Sequence, residues 1–370
     1  MELYRKNILF ILVFTLCAFI SVPAFVWIVD PFHIYHRDTW LNRDKWCSGY
    51  GSVILNSIQL EHARATDNYD TIFVGNSRAM NTDGIEMSKL LGVKGMIRLC
   101  TAGNFRSIHR ESIQEGLKIK KIKHVIIQDA VPGKITDVHT DGFISRHPKC
   151  SLFSNFALFS AFILVGNHLF PNWEVLTKRI QPFSRIYAFS SYLDLKKFPG
   201  MSPVLKTTNT ITPSIRDISL KMDDDVLLHF IRSHPNVTFY LLFPPIVFPC
   251  SDFSIDLTYV SFYVRSAKDL PNVKIYSFHD VPHYCIARNW SDIAHFSPVF
   301  NKFMAYCIKH DLHRVTAKNY DAYKKHILDV LKSFNPSDYP DRPTTFEELV
   351  AYEESLHPEL KKQKVAVEEP

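Results

Sequence analysis

Near the far end of the chain, Trp290-Ser291-Asp292-Ile293-Ala294-His295-Phe296-Ser297-Pro298 sets an acid three residues ahead of an imidazole. At that spacing a carboxylate can orient the ring and stabilise its charge. Far upstream, Asp70-Thr71-Ile72-Phe73-Val74-Gly75-Asn76-Ser77-Arg78 reads as a strand running into a small-residue turn that carries one serine. Gly75 permits close backbone approach, and the amides after Ser77 are expected to face a developing negative charge. Nucleophile, carboxylate and base in the order Ser…Asp…His point to a serine hydrolase or acyltransferase. Gly103-Asn104, after the next strand, offers oxyanion donors, each typically worth about 3 kcal/mol in the transition state. The bland readings are a turn that closes a strand at Gly103-Asn104 and a helix start at Ser297-Pro298. With 17 histidines in the chain, His295 gains meaning only from its pairing with Ser77.

Elements able to position these groups alternate along the chain. Short β-rich runs occur at Thr71–Val74, Met96–Leu99, His124–Gln128, Val237–Phe243 and Val273–Phe278. Helical spacing follows at Ser52–Ala65, Ile85–Leu91, Ser107–Ile122, Ile215–Ser233, Leu257–Leu270 and Pro298–His310. Near-continuous apolar strands such as His124-Val125-Ile126-Ile127 suit a mainly parallel five-stranded sheet covered on both faces, an open α/β sandwich. Sites in such sheets gather at the carboxyl ends of the strands, where Ser77 falls.

Two regions lie outside this alternation. Residues 130–213 form a long insertion, and Ser151–Trp173 within it has no Asp, Glu, Lys or Arg. A second membrane crossing there would put Ser77 and His295 in different compartments, so it reads as a buried or interfacial helix, a lid over the site or a rest on the bilayer. Residues 316–370 form a charged extension, with helices expected at Ala317–Phe334 and Thr344–Lys362. It reads as a solvated tail or as a docking arm for a protein partner.

From Asn7 to Val29 the chain carries no charge, with Arg5 and Lys6 before it and Asp30 after. At about 1.5 Å per residue that run can cross a hydrocarbon core of about 30 Å. A cleaved signal peptide is the competitor, but the apolar run continues past Ser21-Val22-Pro23-Ala24. Residues 1–30 are therefore read as a cytoplasmic N-terminus and a transmembrane anchor. Residues 31–315 would form an extracytoplasmic, periplasmic-side catalytic domain. The net charge of +6 is modest and interspersed, which disfavours nucleic acid. Neither G-x-G-x-x-G nor a P-loop occurs, and no cofactor is implied. Of seven cysteines, six follow the anchor and could pair in an oxidising compartment, with Cys100 reading instead as a buried small hydrophobe. No close CxxC spacing suggests a metal.

G-x-S after the first strand, a glycine after the second and D-x-x-H before the last core helix resemble the SGNH (GDSL-like) hydrolase superfamily. The resemblance covers roughly Asn68 to His310. Asp30-Pro31-Phe32 after the anchor, Arg78 after Ser77, Phe243-Pro244-Pro245 and His295-Phe296-Ser297-Pro298 resemble its membrane-anchored, exported branch, which handles acyl groups on cell-surface polymers. The resemblance implies a flavodoxin-like three-layer α/β/α sandwich. It implies Ser77, Asp292 and His295 as the triad and Gly103 as an oxyanion donor, with Asn104 and Arg78 as candidate oxyanion or substrate-binding groups. It also implies a glycan or acylated polymer as substrate. Two positions depart from the family pattern. Gly75-Asn76-Ser77 replaces G-D-S, and Ile127-Gln128-Asp129-Ala130 stands where G-x-N-D is usual. The third donor is thus unassigned, with Asn104 or Gln128 as substitutes. A catalytically silent glycan-binding or scaffolding module is the alternative reading.

Overall fold

The computed structural model describes residues 2–29, 67–79, 84–100, 106–133, 225–245, 254–290 and 295–360, with isolated positions and a strand at Thr212–Ser214 between them. Five strands form one parallel sheet: β1 (Thr71–Gly75), β2 (Met96–Cys100), β3 (His124–Gln128), β4 (Thr238–Phe243) and β5 (Val273–Ser277). Their spatial order is β2-β1-β3-β4-β5. Thr71 sits opposite both Met96 and His124, His124 opposite Thr238, and Phe239 opposite Val273. Thr212–Ser214 pairs with Ser254–Asp256 in a separate small parallel ladder.

Parallel neighbours require crossovers. Helices α2 (Gly84–Leu91), α3 (Arg106–Leu117), α4 (Val226–Ser233) and α5 (Thr258–Ser266) lie in those crossovers, and α6 (Pro298–Lys309) follows β5. Every residue of β1 is buried, and because side chains alternate across a strand, both faces of the sheet are covered. α3 packs on α4, and α2 packs on α6. The α/β reading and all five strands hold, each within one residue of its expected bounds.

Buried polar groups stitch the layers together. Asp225 caps α4 by accepting from Leu228 N at 2.9 Å, and it accepts from Gly133 N at 2.8 Å. Burial raises its carboxyl above the ordinary range, opposed by those amides and by the Arg110 charge. A Cβ at Gly133 would overlap the Arg110 guanidinium, so only glycine lets that group lie against the backbone there.

The charged extension differs from the solvated tail expected of it. It contains α7 (Tyr320–Ser333) and α8 (Phe346–Leu356), which bury Tyr323, Ile327, Leu331, Leu349, Val350 and Glu353. α8 starts with a reciprocal cap: Glu348 N donates to Thr345 Oγ1 at 3.2 Å, and Thr345 N donates to Glu348 Oε2 at 2.8 Å. α8 packs on α6, so the extension closes over the domain. The charged residues occupy the outer faces and disguise that inner stripe.

The N-terminal helix α1 spans Glu2–Val29, with side chains described at 7–14, 17 and 20–29. Consecutive residues Ile8 to Phe14 are all exposed, whereas Val26 and Val29 near the other end are buried. Phe25 contacts Phe162 of the insertion with ring centroids 4.9 Å apart. Among the described residues no helix is long and apolar enough to cross a membrane. Most of Ser151–Trp173 lies outside the described residues.

Among the described residues, Cys17, Cys100, Cys285 and Cys307 are not joined in disulfides. Burial raises Cys285 well above its ordinary value, and burial lifts Cys307 to about 12 against the pull of His313. Cys100 is buried on β2, as its setting in an apolar run suggested. Cys47, Cys150 and Cys250 lie outside the described residues.

Candidate active site

β1 delivers the serine. Its last residue, Gly75, is followed by a turn in which Ala79 N donates to Asn76 O at 3.0 Å. A Cβ at position 75 would stand 2.4 Å from Ala79 Cβ and 3.3 Å from Gln128 Cβ. The turn can fold back over the strand end only because that atom is missing. Gly75→Ala is therefore expected to push the turn outward at a cost of about 1–3 kcal/mol. The check is the rate at which Ser77 reacts with a fluorophosphonate, which should fall at least tenfold while circular dichroism stays native.

The loop after β5 delivers the imidazole. It passes through the 3-10 turns Pro282–Cys285 and Ala287–Asn289, then closes as Trp290 bridges Phe296 in antiparallel fashion. Their rings meet edge-on at 5.6 Å, and Trp290 Nε1 donates to Tyr284 O at 2.6 Å. Ser297 accepts from Val299 N and Pro298 opens α6, so the helix-start reading of this stretch also holds.

These two elements, 218 residues apart in sequence, meet. His295 Nε2 and Ser77 Oγ are 2.9 Å apart, and both side chains are half-buried at the carboxyl edge of the sheet. That is hydrogen-bond distance for a base taking a hydroxyl proton, through the ring nitrogen that triads use. Asp292, Gly103 and Asn104 lie outside the described residues.

Arg78 does not stand as an isolated cation beside Ser77. Its guanidinium pairs with Asp129 Oδ2 at 2.9 Å and donates to Pro245 O at 3.4 Å. Asn76 Nδ2 donates to the same Asp129 oxygen at 2.6 Å. Asp129 holds φ at 58°, a left-handed conformation that Asp tolerates better than most residues. The carboxylate after β3 thus grips both residues flanking Ser77. From the other side, Asn301 on α6 donates to Arg78 O at 3.2 Å.

The amides after Ser77 differ from the oxyanion donors expected there. Arg78 N donates to Asn76 Oδ1 at 3.0 Å, and Ala79 N is bonded to the Asn76 carbonyl. The cause is Asn76, whose side chain closes an Asx turn on the residue two positions later. Gln128, beside Gly75, is buried with both amide atoms lacking a hydrogen-bond partner.

Sequence reasoning passed over three groups. In sequence Asp129 is only part of an atypical strand end; its grip on Asn76 and Arg78 spans about fifty residues and has no local signature. His109 on α3 is hydrogen-bonded to the Gly75 backbone and held down at about 4, by burial first and by Arg110 second, with the Gly75 bond opposing. It is thus a neutral prop behind the end of β1. Asn289 is the third. Its Nδ2 donates to His283 O at 2.7 Å and Thr344 Oγ1 at 2.9 Å, its Oδ1 accepts from Thr344 N at 2.7 Å, and its carbonyl accepts from Ser297 N at 2.7 Å. Through it the C-terminal extension clamps the loop that carries His295.

Asn289→Ala would strand the buried Thr344 amide at a cost of about 1–3 kcal/mol. Hydrogen exchange of the 286–300 peptide is expected to accelerate in that variant, and Ser77 reactivity to fall. Exchange as slow as in the parent chain would show that the clamp does not hold the loop.

Among the described residues no group of three His, Cys, Asp or Glu could hold a metal. No family model, no curated protein and no solved structure matches the chain.

Proposed function

We propose that the chain is an exported, membrane-tethered serine O-acyl esterase or O-acyltransferase acting on a cell-envelope glycan. Its fold is of the SGNH type. The observation that carries this reading is the 2.9 Å contact between Ser77 Oγ and His295 Nε2. Ser77 Oγ attacks the acyl carbonyl while His295 takes the hydroxyl proton. Collapse of the tetrahedral species expels the donor alcohol, which His295 reprotonates, leaving the acyl group on Ser77. Water or a sugar hydroxyl then gives its proton to His295 and carries the acyl group away. Asp292 is the orienting carboxylate of this scheme.

Two further observations support it. The strand order second-first-third-fourth-fifth is that of flavodoxin-like doubly wound sheets, whose ligands bind beyond the carboxyl ends of the strands. The apolar residues Ile8–Phe14 are exposed on every side of α1, a pattern suited to lipid rather than to a protein core. With Arg5 and Lys6 at the near end, such a helix leaves the domain on the extracytoplasmic side.

One observation favours the catalytically silent glycan-binding module instead: the Arg78 and Ala79 amides are already committed to Asn76. Reaction of the purified full chain with a fluorescent fluorophosphonate separates the two. The enzyme reading expects stoichiometric labelling that disappears in Ser77→Ala, together with acetyl-ester turnover. Folded protein that does not label, or a variant that labels equally, replaces it with the silent module. Adding a glycan acceptor then tells transfer from hydrolysis by diverting acyl groups from water.

A further inference from the structure

Where the C-terminal extension meets the turn Pro282–Cys285, the two line an open cavity of about 390 Å3. That lies at the small end of the range for ligand sites, room for a sugar unit or two rather than an ion or a long peptide. One wall is aromatic. His283 stands edge-on to Tyr339 at 5.2 Å and to Tyr352 at 5.3 Å, and Tyr339 is braced by stacking on Phe334 at 5.3 Å. The lining is otherwise polar: the Arg342 guanidinium grips both Glu348 oxygens, at 3.0 and 2.5 Å, and Thr344 also lines the cavity.

The charges decide which ligand fits. Arg342 is neutralised by Glu348, and Asp338 adds a further carboxylate to the lining. Burial holds the His283 imidazole below its ordinary value, so it contributes no cation near neutral pH. No cationic excess remains for a phosphate or a uronate, while an ion pair and a threonine make poor lining for a lipid tail. His283 Nδ1 is buried without a hydrogen-bond partner. Aromatic faces beside paired donors and acceptors suit the apolar ring faces and hydroxyls of a neutral sugar.

We propose that this cavity is a second binding subsite, taking a neutral saccharide unit of the polymer whose acyl groups Ser77 handles. The identity of that polymer rests on the function proposed above; occupancy of the cavity does not. His283 and Thr344 both line the cavity and both bond to Asn289. A sugar seated there therefore touches the clamp on the catalytic loop.

The test uses the full chain bearing Ser77→Ala, which cannot turn over substrate, titrated by calorimetry with cellobiose, N,N′-diacetylchitobiose and digalacturonic acid. Saturable millimolar binding of a neutral disaccharide is expected, weakened at least tenfold by Tyr339→Ala and by Arg342→Gln. The second substitution falls on an exposed side chain and guards against a fold defect in the first. No saturation by either neutral sugar overturns the proposal, as does binding indifferent to both substitutions, or tighter binding of digalacturonic acid. Saccharide binding in a chain whose parent never labels at Ser77 would leave the subsite standing and remove the enzyme.

Discussion

Replacing His295 with alanine should slow fluorophosphonate labelling and ester turnover by about 100- to 10,000-fold, the usual contribution of a positioned general base. The unfolding midpoint should barely move. Ser77 Oγ reacts well only when its proton has an acceptor, and the described geometry offers His295 Nε2 at 2.9 Å. The half-buried ring tops the sheet edge rather than filling the core, so its loss leaves no large cavity. Fold and chemistry are therefore separable at this position. A His295→Ala protein that labels at the parent rate would mean that another group activates Ser77, and the loop after β5 would lose its assigned role. Imidazole added to the variant should restore part of the labelling, since the missing group is a soluble base.

Glu353→Gln is the substitution expected to cost most in stability. His313 is buried with Nδ1 2.9 Å from Asp280 Oδ1 and Nε2 2.8 Å from Glu353 Oε1. Both ring nitrogens can donate at once only in the imidazolium form. Burial alone would lower the ring's affinity for its proton, but Asp280, Cys307 and Glu353 outweigh it and raise His313 well above its ordinary 6.5. A raised folded value stabilises fully below the unfolded value and loses that contribution as pH climbs through the folded value. The parent chain should therefore weaken steadily above about pH 6.5. Removing one partner of a buried ion pair costs about 3–5 kcal/mol. Glu353→Gln should lower the urea midpoint accordingly, and part of the alkaline slope should go with it. Equal slopes in parent and variant would show that His313 does not carry a proton in the folded chain.

The sheet was legible because its strands are short apolar runs between helical spacings, a pattern set by burial on both faces. The meeting of Ser77 with His295 was legible for a related reason: parallel strands send the residues at their carboxyl ends to one edge, whatever their distance in sequence. Groups that hold the site in place were not. Asp129 grips Asn76 and Arg78 through a left-handed backbone that no residue pattern announces. His313 joins acids 33 positions before it and 40 after it, and each of the three alone looks like an ordinary surface residue. The extension misled for the opposite reason: Glu347, Glu354 and their neighbours flank a narrow stripe of Leu349, Val350 and Glu353 that reads as solvated until α6 is set beside it.

Thr344 and Glu353 are synthesised after every strand of the five-stranded sheet and after α6, yet one fastens the histidine loop and the other completes the buried imidazolium. A nascent chain that has emerged only as far as α6 holds serine and imidazole without the pieces that fix their distance. Chemistry at Ser77 should thus switch on late in biogenesis, after synthesis has passed residue 353. On the proposed esterase reading, a chain still emerging would not attack esters.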